Sequence, residues 1–305
     1  MIENLLFFAL SLNTEKNLNT AKNDITSINI EKNRIVDFIN YDDSYFNIKK
    51  INKESVGVQN KFKSGIIYNY NNGKIYWKKN ENEKRSIASL TKIMTTLVFL
   101  DFDIDLNNYV EIEKEDIKID VEDAAIAGFK NGDKILVRDL LYSGYIGSKN
   151  DAINLLVKST GLSIDKFVEK MNEKAKKLNM NDTVFTNING LDAGNISTAH
   201  DLAKLVYIAF SNSTIQKLSK TKNYTFKTFF GNSYNIKNTD KLLSTNNFNV
   251  IAAKTGYLDE ALYCFTLLST KDNKKIVSIL LGNDTEEERF SDAEKLNAWV
   301  YKNWK

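Results

Sequence analysis

Ser89 and Lys92 lie in the stretch Ser86-Ile87-Ala88-Ser89-Leu90-Thr91-Lys92-Ile93-Met94-Thr95-Thr96-Leu97-Val98-Phe99-Leu100. Apolar residues at 90, 93, 94, 97 and 98 follow the rhythm of a helix that buries one face. Residues three apart on a helix are neighbours, so the amine comes within reach of the hydroxyl. A serine hydroxyl is a weak nucleophile at neutral pH, and a lysine can take its proton only as the free amine. Desolvation against apolar neighbours and the positive N-terminal end of a helix both favour that neutral form. The same N-terminus offers free backbone N–H groups to a developing oxyanion. Acyl transfer through a serine ester is the chemistry that this stretch can do.

Spacing alone carries little weight, because Ser163/Lys166 and Ser219/Lys222 match it too. Both pairs are expected in polar surroundings, with Ser163 as the N-cap of a helix from Ile164 to Leu178, whereas Ser89 opens an apolar helix. Composition narrows the rest. The 305 residues carry 42 Lys and Arg against 39 Asp and Glu, with no block of like charge, so no nucleic-acid partner is expected. A hydrophobic content of 42% supports a substantial core. Cys264 and His200 are single, which excludes an internal disulfide and a zinc site of several Cys or His. A Ser-His-Asp triad or a Cys-His dyad would have to rest on these lone residues, which are more often packing or surface; a lysine base needs neither. Asp101, Asp103 and Asp105 have the spacing of a calcium loop, but Leu106 replaces its glycine and Ile112 its bidentate Glu. No metal and no cofactor are expected.

The elements that must hold these groups follow from pattern. Residues 4–12 are apolar but far short of the ~20 that span a membrane, so they read as a signal-peptide remnant or anchor, or else as a packing segment. Residues 1–62 read as a leader or tether and 63–305 as the catalytic domain. Ser64 to Tyr70 and Lys74 to Trp77 flank an Asn71-Asn72-Gly73 turn, a hairpin signal. Residues 101–210 look mainly helical, with helices at Val137 to Ile146, Asp151 to Lys158, Ile164 to Leu178 and Thr198 to Phe210, the last capped by Ser197. Strands return at Tyr224 to Phe230, Tyr234 to Lys237, Val250 to Lys254, Leu262 to Leu268 and Ile276 to Leu281. A final amphipathic helix carries Phe290, Ala293, Leu296 and Val300. Strands at both ends with helices between imply an α/β fold whose antiparallel sheet is built from both ends of the chain and packed against a helical region.

Two further stretches complete a pattern: Ser148-Lys149-Asn150 and Lys254-Thr255-Gly256. Ser-x-Asn also occurs at Ser11, Ser27, Ser233 and Ser244, but Lys-Thr-Gly occurs once. With Ser89-Leu90-Thr91-Lys92 these resemble, in order and spacing, the three motifs of the serine D-alanyl-D-alanine carboxypeptidases, the low-molecular-mass penicillin-binding proteins. The likeness runs from about Ser64 to Trp304 and includes Phe185-Thr186-Asn187-Ile188-Asn189-Gly190 and Asn238-Thr239-Asp240. The resemblance implies the fold shared by penicillin-binding proteins and serine β-lactamases. It implies Ser89 as the acylated nucleophile, Lys92 as its base and Ser148 as a proton relay to the leaving amine. Asn150 would hold the substrate amide, and Lys254 and Thr255 its terminal carboxylate. Gly256 would let the strand lie close, and the N–H groups of Ser89 and Tyr257 would form the oxyanion hole.

The implied partners are peptidoglycan stem peptides ending in D-Ala-D-Ala, with β-lactams as inhibitors, outside the cytoplasm and with membrane association through the N-terminus. The chain departs from the family at Lys149, the middle residue of Ser-x-Asn, at Leu262, where glycine is frequent, and at Asn283, near a place where some members carry an arginine for the carboxylate. The second, β-rich domain of many members is not expected. A D,D-endopeptidase or β-lactamase of the same fold, or a wall-peptide binding protein without turnover, are the competing readings.

Overall fold

The computed structural model describes residues 57–304. The apolar run at 4–12 and the leader up to residue 56 lie outside the described residues. Phe62, the last residue of the expected leader, is buried in the core and meets Trp77 edge-on at 5.3 Å.

The sheet has five strands in the order β2-β1-β11-β10-β9. Its members are β1 (Ser64–Asn69), β2 (Ile75–Lys79), β9 (Asn249–Leu258), β10 (Leu262–Lys271) and β11 (Lys274–Asn283). All the pairings are antiparallel, and β1 joins β11 in the register Ser64↔Leu281 to Asn69↔Ile276. The first and last parts of the chain therefore make one sheet, as the pattern implied. Every residue of β1 is buried, because both faces are covered. Ile67 faces the cluster of Phe265, Leu267, Leu280, Phe290, Leu296 and Val300 under the last helix, α7 (Glu286–Asn303). Tyr68 points the other way and donates its hydroxyl to Ala203 O at 3.0 Å, on α5 (Ala199–Ala209).

The helical region holds α1 (Thr91–Phe99), α2 (Val137–Ile146), α3 (Asn150–Lys158), α4 (Ile164–Lys177), α5 and α6 (Ser213–Lys220). Short strand pairs join Arg85–Ser86 (β3) to Ile196–Ser197 (β6), Tyr109–Glu111 (β4) to Lys134–Leu136 (β5), and Asn223–Lys227 (β7) to Ser233–Lys237 (β8). Thus 101–136 is less helical than its pattern suggested. The α1 periodicity predicted one buried face, yet all nine residues are buried, since α2, α4 and α5 pack around it. Two of its three threonines are hydrogen-bonded: Thr91 Oγ1 donates to Ala88 O at 2.7 Å and Thr95 Oγ1 to Ile188 O at 2.7 Å.

Three local expectations change. Thr198, not Ser197, caps α5, its side chain accepting from Asp201 N, while Ser197 Oγ is 2.7 Å from Thr183 Oγ1. Helix α6 had no place in the sequence reading; Asn212 caps it by accepting from Thr214 N and Ile215 N, and Ile215 and Leu218 bury one side. Ser219 was expected in polar surroundings but is buried, with its Oγ 3.3 Å from the Tyr145 hydroxyl, while Lys222 is exposed.

Candidate active site

Ser89 sits in a tight 3-10 turn, Ala88–Leu90, that leads directly into α1. Ala88 takes the left-handed conformation (φ 47), which folds the chain back just before the serine. Gly190 lies against this turn so closely that a Cβ there would fall 2.0 Å from Ala88 O. From the first turn of α1, Lys92 reaches back, and its Nζ is 2.9 Å from Ser89 Oγ. The ammonium also has Asn150 Oδ1 at 2.8 Å and Asn189 O at 2.6 Å as acceptors. Lys92 is wholly buried. Desolvation, aided by the charge of Lys254, holds its ammonium well below the ordinary lysine range.

Ser148 lies between α2 and α3 in a left-handed conformation (φ 55), and its Oγ accepts from Lys254 Nζ at 3.0 Å. Asn150 opens α3. Its Oδ1 is committed to Lys92, and its Nδ2 donates to Ala125 O at 3.0 Å. The neighbouring Asp151 carboxylate accepts from Ala127 N at 2.9 Å and Gly128 N at 2.9 Å, so one turn of helix pins the loop that walls the cleft. Lys149, the cap of α3, does not line that cleft.

Strand β9 supplies the opposite wall. Lys254 is buried, and desolvation together with the Arg289 charge brings its ammonium down to about 7. Thr255 Oγ1 is 2.6 Å from Thr239 Oγ1. A Cβ on Gly256 would lie 3.2 Å from Ser89 N and 3.0 Å from Ile87 O, so a side chain there would press on the nucleophile's turn. Tyr257 is half exposed, stacks on Tyr263 at 4.3 Å and donates to Asp259 Oδ1 at 2.6 Å. The cleft between these walls, about 640 Å³, is lined by Ser89, Ser148, Asn150, Thr255, Gly256 and Tyr257 among others. Lys241 and Arg289 also line it, both ion-paired with Glu286.

The structure thus brings together all eight residues singled out from the motifs, which lie on three widely separated segments. It also shows groups that the motifs did not. Asn189 O receives the Lys92 ammonium, and Asn195 Nδ2 ties Thr91 Oγ1 (2.8 Å) to Asn187 O (3.0 Å). Arg289 had no signal beyond its place in an amphipathic helix. Asn283 is buried and donates to Asp292 Oδ2 at 3.0 Å, away from the cleft. Leu262 occupies a left-handed turn position (φ 57), the conformation for which glycine is the usual residue. Among the described residues no group of His, Cys, Asp or Glu could hold a metal ion.

A family model described as D-alanyl-D-alanine carboxypeptidase matches residues 50–285. The chain is 29% identical over 244 residues to a D-alanyl-D-alanine endopeptidase of Escherichia coli, covering 78% of this chain and 76% of that one. It is 30% identical over 261 residues to the D-alanyl-D-alanine carboxypeptidase DacF of Bacillus subtilis, covering 81% of this chain but 64% of DacF, just under two thirds of that relative's length. The crystal structure of the Streptomyces K15 DD-transpeptidase superposes with a TM-score of 0.77 at 31% identity, over 81% of this chain and 100% of that one.

Proposed function

The chain belongs to the D-alanyl-D-alanine carboxypeptidase family, and on that premise we propose that it removes the terminal D-Ala from peptidoglycan stem peptides through an ester on Ser89. The observation that carries this reading is the buried Lys92 amine, 2.9 Å from Ser89 Oγ and held well below the ordinary lysine range. Lys92 takes the Ser89 proton as Oγ attacks the carbonyl of the penultimate D-Ala, and the new ammonium rests on Asn150 Oδ1 and Asn189 O. The oxygen of the tetrahedral intermediate lies between the N–H groups of Ser89 and Tyr257. Ser148 Oγ, hydrogen-bonded to Lys254, relays the proton taken up by Lys92 to the leaving amine, which returns Lys92 to the free amine. Lys254 and Thr255 bind the carboxylate of the departing D-Ala, which makes a free C-terminus part of the recognised structure. The second Nδ2 proton of Asn150 is left for a substrate carbonyl. Water then attacks the ester, with Lys92 again as base.

β-Lactams enter the same first step. Action on the wall places the protein outside the cytoplasm, and the apolar run at 4–12 supports export or membrane association through the N-terminal segment. Among the described residues no helix is long and apolar enough to cross a membrane.

Intact-mass analysis after benzylpenicillin, followed by peptide mapping, tests this reading together with D-Ala release from a D-Ala-D-Ala peptide. One adduct on Ser89 and steady turnover are expected. An adduct without turnover would mean a wall-peptide binding protein, and no adduct would remove the serine-ester mechanism.

A further inference from the structure

Arg289, in the first turn of α7, is 4% exposed, and a buried guanidinium persists only where its charge is used. Its Nη1 donates to Gly256 O at 3.1 Å and its Nη2 to Glu286 Oε1 at 3.0 Å. The planar group lies over Phe290 at 4.7 Å and Tyr263 at 5.3 Å, so packing fixes its orientation; Nε has no partner among the described residues. The acceptor is the informative part. Gly256 O belongs to the same peptide unit as the N–H of Tyr257, and in a planar trans peptide the two point in opposite directions. Whatever holds the carbonyl also aims that N–H. Two facts give such a hold a use beside the β10 ladder, in which Gly256 lies opposite Cys264. Among the described residues strand β9 is the sheet edge, and no further strand pairs with its outer N–H groups. Residue 256 is glycine, which the close approach to Ser89 N favours and which is the backbone most free to rotate.

We propose that Arg289 is a positioning residue: it clamps the Gly256–Tyr257 peptide unit so that the Tyr257 N–H stays aimed at the oxyanion. A rigid fork of donors on a fixed charge suits this task, and its charge-assisted bond polarises the peptide so that the N–H on the far side donates more strongly. The proposal rests on the serine-ester reading above, in which Tyr257 N–H is an oxyanion donor. It differs from a role in reading the carboxylate, because an oxyanion donor acts in both acylation and deacylation, and by deacylation the D-Ala carboxylate has left.

The test compares wild type, Arg289→Met and Arg289→Lys on a D-Ala-D-Ala peptide, with acylation and deacylation measured separately by rapid quench and mass. Deleting an oxyanion donor outright costs 10²–10³ in rate, so releasing one from its clamp is expected to slow both steps by about tenfold in Arg289→Met. KM should change little, and Arg289→Lys should recover part of the loss. The infrared carbonyl stretch of the acyl-enzyme should shift to higher frequency in both variants as the hydrogen bond weakens. A defect confined to acylation of carboxylate-bearing substrates would overturn the proposal in favour of carboxylate reading. Lowered melting temperature with unchanged rates and stretch would reduce Arg289 to packing. Should Arg289→Met not fold, the stretch in Arg289→Lys decides: a wild-type frequency rejects the clamp. Wild type that forms no ester on Ser89 would fail earlier, and would sink the underlying reading as well.

Discussion

Ser89/Lys92 and Ser163/Lys166 share one spacing and part of one helical geometry, and they come to opposite ends. At the first, Lys92 is buried, its Nζ turned back 2.9 Å from the serine oxygen, and burial pushes its ammonium well below the ordinary range. At the second, Ser163 Oγ accepts from Lys166 N at 3.3 Å as the N-cap of α4, while the exposed Lys166 amine turns to Glu169 Oε2 at 2.7 Å. Hydrogen bonding to Glu169 and its charge raise that lysine. The same two side chains form a nucleophile with its base in one place and a helix cap with a surface ion pair in the other. Surroundings decide which; sequence spacing only permits it.

The largest expected effect separates the two serines. Ser89→Ala should abolish labelling by a fluorescent penicillin, whereas Ser163→Ala should leave it at wild-type level. Labelling that survives in the first variant or disappears in the second would erase the distinction.

The lysines give the next effect. Lys92→Arg places a permanently charged guanidinium where a neutral amine is needed, and acylation should fall by roughly 10²–10⁴. Lys166→Arg should acylate normally. Near-normal acylation by Lys92→Arg, followed by stopped-flow quenching, would show that another group takes the proton.

A smaller effect extends the contrast to pH. Lys254 is charged below about 7 and neutral above it, and a carboxylate needs the charged form, so kcat/KM on a free D-Ala-D-Ala peptide should decline above about pH 7. Lys92 works as the neutral amine, so its titration makes the same parameter rise with pH and supplies the acidic limb. Masking the carboxylate as an amide should remove the alkaline limb and leave the acidic one. Lys254→Gln should cost about ten- to a hundredfold on the free peptide and little more on the amide, since a hydrogen bond to an ion contributes about 1.5–3 kcal/mol. An alkaline limb that survives masking would detach Lys254 from the carboxylate.

The smallest effect lies in stability. Ser163→Ala removes a cap at about 0.5–1 kcal/mol and should lower Tm by a few degrees with activity intact, as calorimetry would register. A Tm that does not move would leave Ser163 with no role in α4.

How far the sequence discloses this site depends on how local each signal is. The Asn72-Gly73 hairpin, the Ser163 cap and the two-ended sheet rest on neighbouring residues or on strand periodicity, and the structure has all three. Helix α6 escapes because eight residues with two buried apolar positions make too short a periodic run. Thr198 and Ser197 are adjacent capping residues, and only the pairing of β6 with β3 makes Ser197 part of a strand. The motifs identify a serine, a lysine and a strand, but not that Asn150 serves Lys92 through Oδ1, nor that Arg289 arrives at Gly256 from a helix 33 residues further on. Those are facts of side-chain direction in three dimensions.

Strand β1 closes against β11, so roughly 200 residues of chain separate partners in the middle of the sheet. Ser89 and Lys92 leave the ribosome early, at about 5–20 residues per second, yet the strand that carries Lys254 and the helix that carries Arg289 follow many seconds later. Until then the turn of Ser89 lacks the β9 wall, and Lys92 lacks the Lys254 charge that helps to hold it neutral. The fold thus works as a timer: the cleft is complete only when the last strands and the last helix dock.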